Sequence, residues 1–136
     1  MKRISSWHRA LEEQLRQGQT REFAWGSFDC ALFACDCVWA QTGEDPAVDF
    51  RGKYSAQDSA EAFGSISAIA EKIAAQFGLP EIAPGHAGRG DVVLIDNRTA
   101  QGALAVIDFT GSYAVCPGSQ GLIRVRRHRW LRAWRI

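Results

Sequence analysis

The fold is decided by residues 23–40, which read FAWGSFDCALFACDCVWA. An aromatic, glycine-bearing segment leads to Asp29 and Cys30, and an apolar run follows in which Asp36 is the only interior charge. Aspartate is a preferred residue before a helix and glycine a common residue after one. The stretch therefore predicts a helix that Asp29 caps and Gly43 ends. A helix that is apolar on all sides is buried, so this helix is the predicted spine of the fold.

Cys30 stands at the first turn of that helix. Backbone N–H groups are unpaired there and the helix dipole favours negative charge, so the position favours a thiolate. Cys30 is therefore the candidate nucleophile. Such a nucleophile also needs a base within hydrogen-bond reach, usually a histidine. Among the three histidines, His86 in the connector over residues 80–90 is the first choice, ahead of His8 and His128.

The rest of the chain places helices before strands. Apolar residues at helical spacing predict a first helix from Ser5 or Ser6 to about Gln17, and later helices over 56–63 and 65–78. Apolar runs then predict strands over 91–96, 103–109, 113–116 and 121–126, with 129–136 a strand or a short helix. This order predicts one α+β domain over residues 1–136, with a helical N-terminal half and a buried central helix packed on a small antiparallel sheet.

Composition argues against several classes of protein. Hydrophobic residues make up 46% and charged residues 23% of the 136 residues, as in ordinary soluble globular chains. No run approaches the roughly 20 apolar residues of a membrane span, and no apolar stretch of a signal peptide follows the basic N-terminus. We therefore expect no membrane span and no export signal, and the four cysteines are expected to be reduced thiols.

The cysteines do not have the spacing of a metal site. On a helix, Cys35 and Cys37 point about 200° apart, and Cys30 and Cys37 lie about 10 Å apart along the axis. Bonds of about 2.3 Å from sulfur to a shared zinc ion cannot bridge that distance. The sequence therefore predicts no metal and no cofactor, and Cys35 and Cys37 are predicted core residues.

The C-terminal end of the chain is basic. Asp108 is the last acidic residue, and arginines and tryptophans alternate with apolar residues beyond it. Such an end can bind phosphates and bases, but arginine and tryptophan are also the residues most enriched at protein interface hot spots. With a net charge of +1 and no nucleic-acid-binding motif, the sequence favours a protein interface. The candidate interface residues are Arg124, Arg126, Arg129, Trp130, Arg132, Trp134 and Arg135.

Residues 23–40 and 90–116 together resemble the NlpC-type cell-wall cysteine peptidases, which have a compact papain-like fold. In that family an aromatic loop with Trp-Gly leads to Asp-Cys at a helix start, and a Gly-Asp strand and a further strand follow. These features match Asp29-Cys30, Gly90-Asp91 and the strand from Ala103. The chain is more closely similar to small tail-tip relatives of this family from tailed phages and phage-like particles. Those relatives often end in a short Gly-Leu strand and an Ala-Trp-Arg tail, as at Ala133-Trp134-Arg135.

The resemblance implies that Cys30 occupies the nucleophile position. Where the family has its catalytic histidine, however, this chain has Ala103, and where it has a tyrosine hydroxyl, this chain has Phe23. The residue after the nucleophile is Ala31, and the third polar position falls at Val115 or Cys116. Loss of a general base alone lowers a rate by about 10²–10⁴-fold. The resemblance therefore implies a peptidase fold that has lost most of its catalytic polar groups.

These features predict a structural component of a phage tail tip or baseplate, made in the cytoplasm of the bacterial host and located in the virion. Its partners would be tail hub or other baseplate proteins, bound through the arginine- and tryptophan-rich end. The alternative is an active cysteine hydrolase that cuts peptidoglycan during genome entry, with Cys30 as nucleophile and His86 as base. A basic nucleic-acid-binding module is a second alternative.

Overall fold

The computed structural model describes residues 1–136, leaving aside the side chain of Ser59. Four α-helices come first: α1 (Trp7–Gly18), α2 (Cys30–Thr42), α3 (Gln57–Glu61) and α4 (Ile66–Phe77). Six strands follow: β1 (Glu81–Ile82), β2 (Val92–Ile95), β3 (Ala103–Ile107), β4 (Tyr113–Gly118), β5 (Gly121–Arg126) and β6 (Trp130–Trp134). Short 3₁₀ turns lie at Pro84–His86 and Arg127–Arg129. The α+β class is thereby confirmed.

Helix α2 is the buried centre that the sequence predicted. The Asp29 carboxylate accepts a hydrogen bond from the backbone N–H of Leu32 at 2.9 Å, which caps the helix, and Gly43 ends it with φ of 81°. The helix packs on α1 on one side and on β3 on the other. Trp39 is the exception to its burial, since 45% of that residue is exposed and the Arg51 guanidinium lies 5.2 Å from its ring.

The strands form one antiparallel sheet in the order β1-β6-β2-β3-β4-β5. The sequence left residues 129–136 open between strand and helix; they contain β6, which lies between β1 and β2. Strand β1 falls in the segment predicted as a connector. Two residues are too few to show an alternating pattern, and only their pairing with Ala133 and Trp134 identifies them as a strand.

Both faces of the central strands β2 and β3 are buried. Leu104, Val106 and Trp134 belong to the core that the helices cover. Val93, Ala105 and Ile107, on the opposite face, are 0% exposed although Cys30 is the only helical residue among the described side chains packed there. The sheet is therefore strongly curved, and its own strands cover this second face. The buried residues on the concave side are called the inner core. Trp130 closes this inner core, because its indole N–H donates to the Val125 carbonyl at 3.0 Å, linking β6 to β5 across the concave side.

A buried polar network ties the N-terminal segment to α2 and β2. The Gln41 amide donates to the Gly90 carbonyl at 3.0 Å and accepts a hydrogen bond from Arg3 at 2.9 Å. The buried Asp91 carboxylate accepts from the backbone N–H of Ile136 at 3.0 Å and pairs with Arg3 at 3.4 Å. Gly90 is required at the centre of this network, since a β-carbon there would lie 2.2 Å from the Gln41 side-chain oxygen.

No helix in the part of the chain that the structure describes is long and apolar enough to cross a membrane.

A comparison of alanine substitutions at Gly43 and Gly90 measures the cost of crowding the Gln41 network. Both have φ of 81°, but a β-carbon at Gly43 would meet no atom within 4 Å. We expect Gly43→Ala to lower the free energy of unfolding by about 1–2 kcal/mol, the cost of a left-handed alanine. Gly90→Ala should cost about 1–3 kcal/mol more, because Gln41 must also move. Urea unfolding followed by tryptophan fluorescence measures both, and equal costs would contradict the packing argument.

Candidate functional site

Cys30 lies at the floor of a cleft of about 470 Å³ between the helical half and the sheet. Its partly buried side chain packs against the inner core of the sheet, next to the start of β3. The size of the cleft suits a small ligand or a few residues of a peptide. Its walls come from the loop before α2, from Tyr54, from α3 and α4, from residues 97–103 and from the end of β4.

The environment of Cys30 does not favour a thiolate. The pKa of its thiol is raised to about 11, mainly by burial and in addition by the negative charge of Asp29. The backbone groups of Leu104 and Ala31 lower the pKa but do not offset the burial. Cys116, which lines the same cleft, has a pKa raised to about 12, again chiefly by burial. The sequence predicted that the helix start favours a thiolate at Cys30. In the structure, desolvation raises the pKa by more than the helix start can lower it.

The Asp29 carboxylate holds the cleft together and does not face it as a free acid. Besides capping α2, it accepts hydrogen bonds from the backbone N–H of Gly26 at 3.0 Å and from the Tyr54 hydroxyl. Burial, together with this hydrogen bond, raises the pKa of Tyr54. Gly26 itself has φ of 84° and lies against the Tyr54 carbonyl, where a β-carbon would approach to 1.9 Å.

The cleft contains a tyrosine hydroxyl that the sequence did not predict there. It belongs to Tyr54, in the loop after α2, and donates to the Asp29 carboxylate. Only the aromatic character of Tyr54 in a loop pointed to it, because its distance in sequence from Asp29 hides their contact.

None of the histidines in the described chain lines the cleft. His86 lies exposed in the turn Pro84–His86, where its carbonyl accepts a hydrogen bond from Arg135 at 3.5 Å. His8 stacks on Trp7 with ring centroids 3.7 Å apart, and His128 lies exposed in the turn after β5. The structure therefore does not bring His86 to Cys30.

Ala103 is at the position where the resemblance places the catalytic base. It lines the cleft together with Cys30 and Cys116, at the first residue of β3. A methyl group there can neither accept nor donate a proton. The first residue of β3 and the thiol therefore line one cleft, but Ala103 cannot serve as the base of a cysteine nucleophile.

The mouth of the cleft is aromatic and apolar on one side and polar on the other. Trp25 and Phe63 are 36% and 39% exposed, and Ile123 from β5 is 41% exposed. Uncharged polar residues of the β2–β3 loop and the single charge of Glu61 complete the described rim. The cleft can bind a partly apolar group. Its described lining contains no histidine, and its carboxylates are Asp29, which is already bonded, and Glu61 at the rim.

The predicted tryptophan interface is wrong. Trp134 is 3% exposed in the core under the helices, and Trp130 is 5% exposed in the inner core of the sheet. Trp130 and Trp134 would share one face of a regular strand, but the pairing register shifts between Leu94 and Ile95 and places them in different cores. Periodicity in the sequence does not reveal such a shift. These two residues are packing residues.

The arginines of the C-terminal end do not form one surface. Arg132 bridges Glu71 of α4 and Glu81 of β1, at 2.7 and 2.6 Å, so it joins elements within the chain. Arg129 donates to the Asp96 carbonyl at 2.9 Å. Arg135 lies exposed beside β1, at one edge of the sheet.

Arg124 and Arg126 remain as an exposed pair on β5, at the other edge of the sheet. Their guanidinium groups lie 5.4 and 5.8 Å from the Tyr113 ring, which holds both on one face of the strand. Arg127 follows them and is also exposed. Of the predicted interface residues, Arg124 and Arg126 on β5 and Arg135 at the opposite edge of the sheet are therefore the exposed ones.

The fold and the site define an α+β domain whose central helix presents a buried thiol to an aromatic cleft. The chain belongs to a family described as a domain of unknown function, DUF6950, whose model matches residues 2–136. A search of curated proteins gave no match.

The raised pKa of Cys30 predicts its reactivity. An ordinary thiol, with a pKa near 8.5, stops gaining reactivity above about pH 9 because it is then mostly thiolate. The rate of Cys30 alkylation by iodoacetamide should instead keep rising to about pH 11, because burial raises the pKa of this thiol to about 11. Mass spectrometry of the modified Cys30 peptide gives the rate, and a plateau below pH 9 would contradict the buried, unpaired thiol.

Proposed function

We propose that this protein is a structural component of a phage-type tail tip, built on an NlpC-type, papain-like fold that no longer hydrolyses peptides. The observation that carries this proposal is the composition of the cleft around Cys30. The thiol faces Ala103 and Cys116, and the described histidines lie elsewhere. A cysteine hydrolase without a base and with a raised thiol pKa lacks both the nucleophile and the proton shuttle.

The arrangement of the cleft supports the NlpC-type assignment in particular. A cysteine begins a buried helix, the helix packs on β3, and the first residue of β3 lines the cleft beside the thiol. The arrangement is what remains if a catalytic site loses its polar side chains while the scaffold that positioned them persists.

A docking role to a tail hub or baseplate protein follows from the accessible arginines. Arg124, Arg126 and Arg127 are exposed next to one another, whereas Arg132 is already paired within the chain. Arginine beside an aromatic ring is a common component of interface hot spots. In the proposed function the protein is made in the bacterial host cytoplasm and is carried in the virion.

Each of the two alternative functions requires a particular structural feature. An active peptidoglycan hydrolase needs a base at Cys30, usually a histidine, and no histidine of the described chain lines the cleft. A nucleic-acid-binding module needs a continuous basic surface, but the arginines are divided between the two edges of the sheet. Both remain outcomes that the following experiments can reveal.

The first experiment uses Cys30→Ala in the complete protein and in the particle that carries it. We expect unchanged particle assembly and infectivity, because the thiol is not used. Incubation of the wild-type protein with disaccharide stem-peptide fragments of peptidoglycan should leave them intact by mass spectrometry. Cleavage by the wild type that Cys30→Ala abolishes would establish the hydrolase alternative. Ala103→His tests the same site in the opposite direction, since an imidazole at that position should lower the pH at which Cys30 is alkylated.

The second experiment tests docking. The double variant Arg124→Ala/Arg126→Ala should reduce co-purification with tail hub proteins on the order of tenfold, equivalent to about 1.4 kcal/mol. The matched control is Arg9→Ala/Arg16→Ala, which removes the same charge from the exposed face of α1. Equal retention of both variants in purified particles would contradict docking through β5, and strong salt-dependent binding of DNA by the wild type would favour the nucleic-acid module.

A further inference from the structure

Strand β5 is an open edge of the sheet. The two edges of the sheet are β1, which has two residues, and β5, which has six. An exposed edge strand presents unpaired N–H and C=O groups that can pair with another extended chain. The length of β5 is sufficient for several such hydrogen bonds, whereas β1 is too short.

The direction of each backbone group in β5 follows from the pairing of its neighbour. The Asp108 N–H donates to the Tyr113 carbonyl at 2.9 Å, so the backbone groups of Tyr113 point toward β3. Because these groups alternate along a strand, the next residue, Ala114, points toward β5 and pairs with Val125. The same alternation makes Ile123 and Gly121 pair with β4.

The backbone groups of Leu122, Arg124 and Arg126 therefore point away from the sheet. The hydrogen bonds of the described chain include none to these outward backbone groups. Three residues at every second position thus offer an N–H and a C=O each, which is the pattern that an added antiparallel or parallel strand uses.

The side chains of β5 specify what kind of strand fits. Arg124 and Arg126 lie on the same face, beside Tyr113, and are exposed. Ile123 lies on the other face at the mouth of the cleft and is 41% exposed. A matching segment would place acidic residues opposite the arginines and an apolar residue beside Ile123, because side chains alternate between faces.

A second copy of this chain does not fit the same edge. Pairing two β5 strands would bring the arginines of one copy next to those of the other, and like charges on neighbouring strands are destabilising. Strand β5 itself, with the sequence GLIRVR, contains no acidic residue that could pair with the arginines of the second copy. The arginines that disfavour self-association therefore favour an acidic partner.

We propose that β5 accepts an extended segment of a partner protein as a seventh strand of the sheet, and that this segment carries acidic residues at alternate positions with apolar residues between them. The inference rests on the proposed docking function and specifies the chemistry and conformation of the partner. It also places the apolar residues of that segment at the mouth of the Cys30 cleft, through Ile123.

The test uses the complete protein and a labelled six-residue peptide of alternating Glu and Val. Fluorescence anisotropy should show saturable binding that weakens with salt. A peptide of alternating Lys and Val should bind at least about tenfold more weakly because its charges repel the arginines. A peptide of three Glu followed by three Val has the composition of the first without its alternation, and it should also bind more weakly.

Two variants separate the backbone from the charge. Arg124→Ala removes the guanidinium and keeps the outward backbone N–H. Arg124→Pro removes the guanidinium and this N–H. The hydrogen bonds to β4 remain in both variants, because proline is tolerated at outward positions of edge strands. We expect Arg124→Pro to bind the Glu/Val peptide about 3- to 10-fold more weakly than Arg124→Ala, the effect of one lost hydrogen bond. Equal affinities of the two variants would overturn strand addition.

Amide hydrogen exchange gives an independent measurement. The N–H groups of Leu122, Arg124 and Arg126 should exchange rapidly in the free protein and become protected when the Glu/Val peptide binds, while that of Ile123 is already protected. Binding without this alternating protection, binding of the Lys/Val peptide with equal affinity, or a dimer of the free protein in sedimentation would each overturn the proposal. Peptide binding by a protein that is absent from purified particles would instead refute the tail function and leave the strand addition standing.

Discussion

The site depends on the hydrogen bonds that the buried Asp29 carboxylate accepts. It fixes the start of α2 through Leu32, the turn before the helix through Gly26, and the loop after the helix through Tyr54. One side chain thereby fixes the positions of three walls of the cleft relative to Cys30. A carboxylate that is 1% exposed must have such partners, because an unpaired buried charge would be strongly destabilising. This requirement applies whether or not the thiol reacts.

The curled sheet explains why the thiols at this cleft lie in an apolar environment. Its second face is filled by small and branched residues such as Ala105, Ile107 and Ala114, all 0% exposed. Cys30 and Cys116 border that core, so they lie in an apolar environment that favours neutral thiols. Stability of the inner core and reactivity of the cysteine are therefore opposed, and the structure favours the core.

The sequence predicted those helices and strands whose signals lie in neighbouring residues. Asp29 before an apolar run and Gly43 after it located α2 closely, and alternating apolar runs located β2 to β5. It was insufficient where the outcome depends on partners distant along the chain. Arg132 looked like a surface charge until α4 and β1 placed Glu71 and Glu81 around it, and Tyr54 became part of the site only through Asp29. Trp130 and Trp134 looked accessible because the sequence does not reveal that one tryptophan of β6 packs in each of the two cores.

The distribution of tryptophan has a consequence for spectroscopy. Trp134 lies in the helix-covered core and Trp130 in the inner core, so the two report on separate halves of the packing from a single strand. Trp25, at the rim of the cleft, is 36% exposed, and its ring is edge-on to Phe23 at 5.0 Å. Its indole emission should shift to shorter wavelength when a ligand excludes water from the cleft, while the two buried indoles keep theirs. The chain thus contains an intrinsic optical sensor of cleft occupancy alongside two sensors of folding.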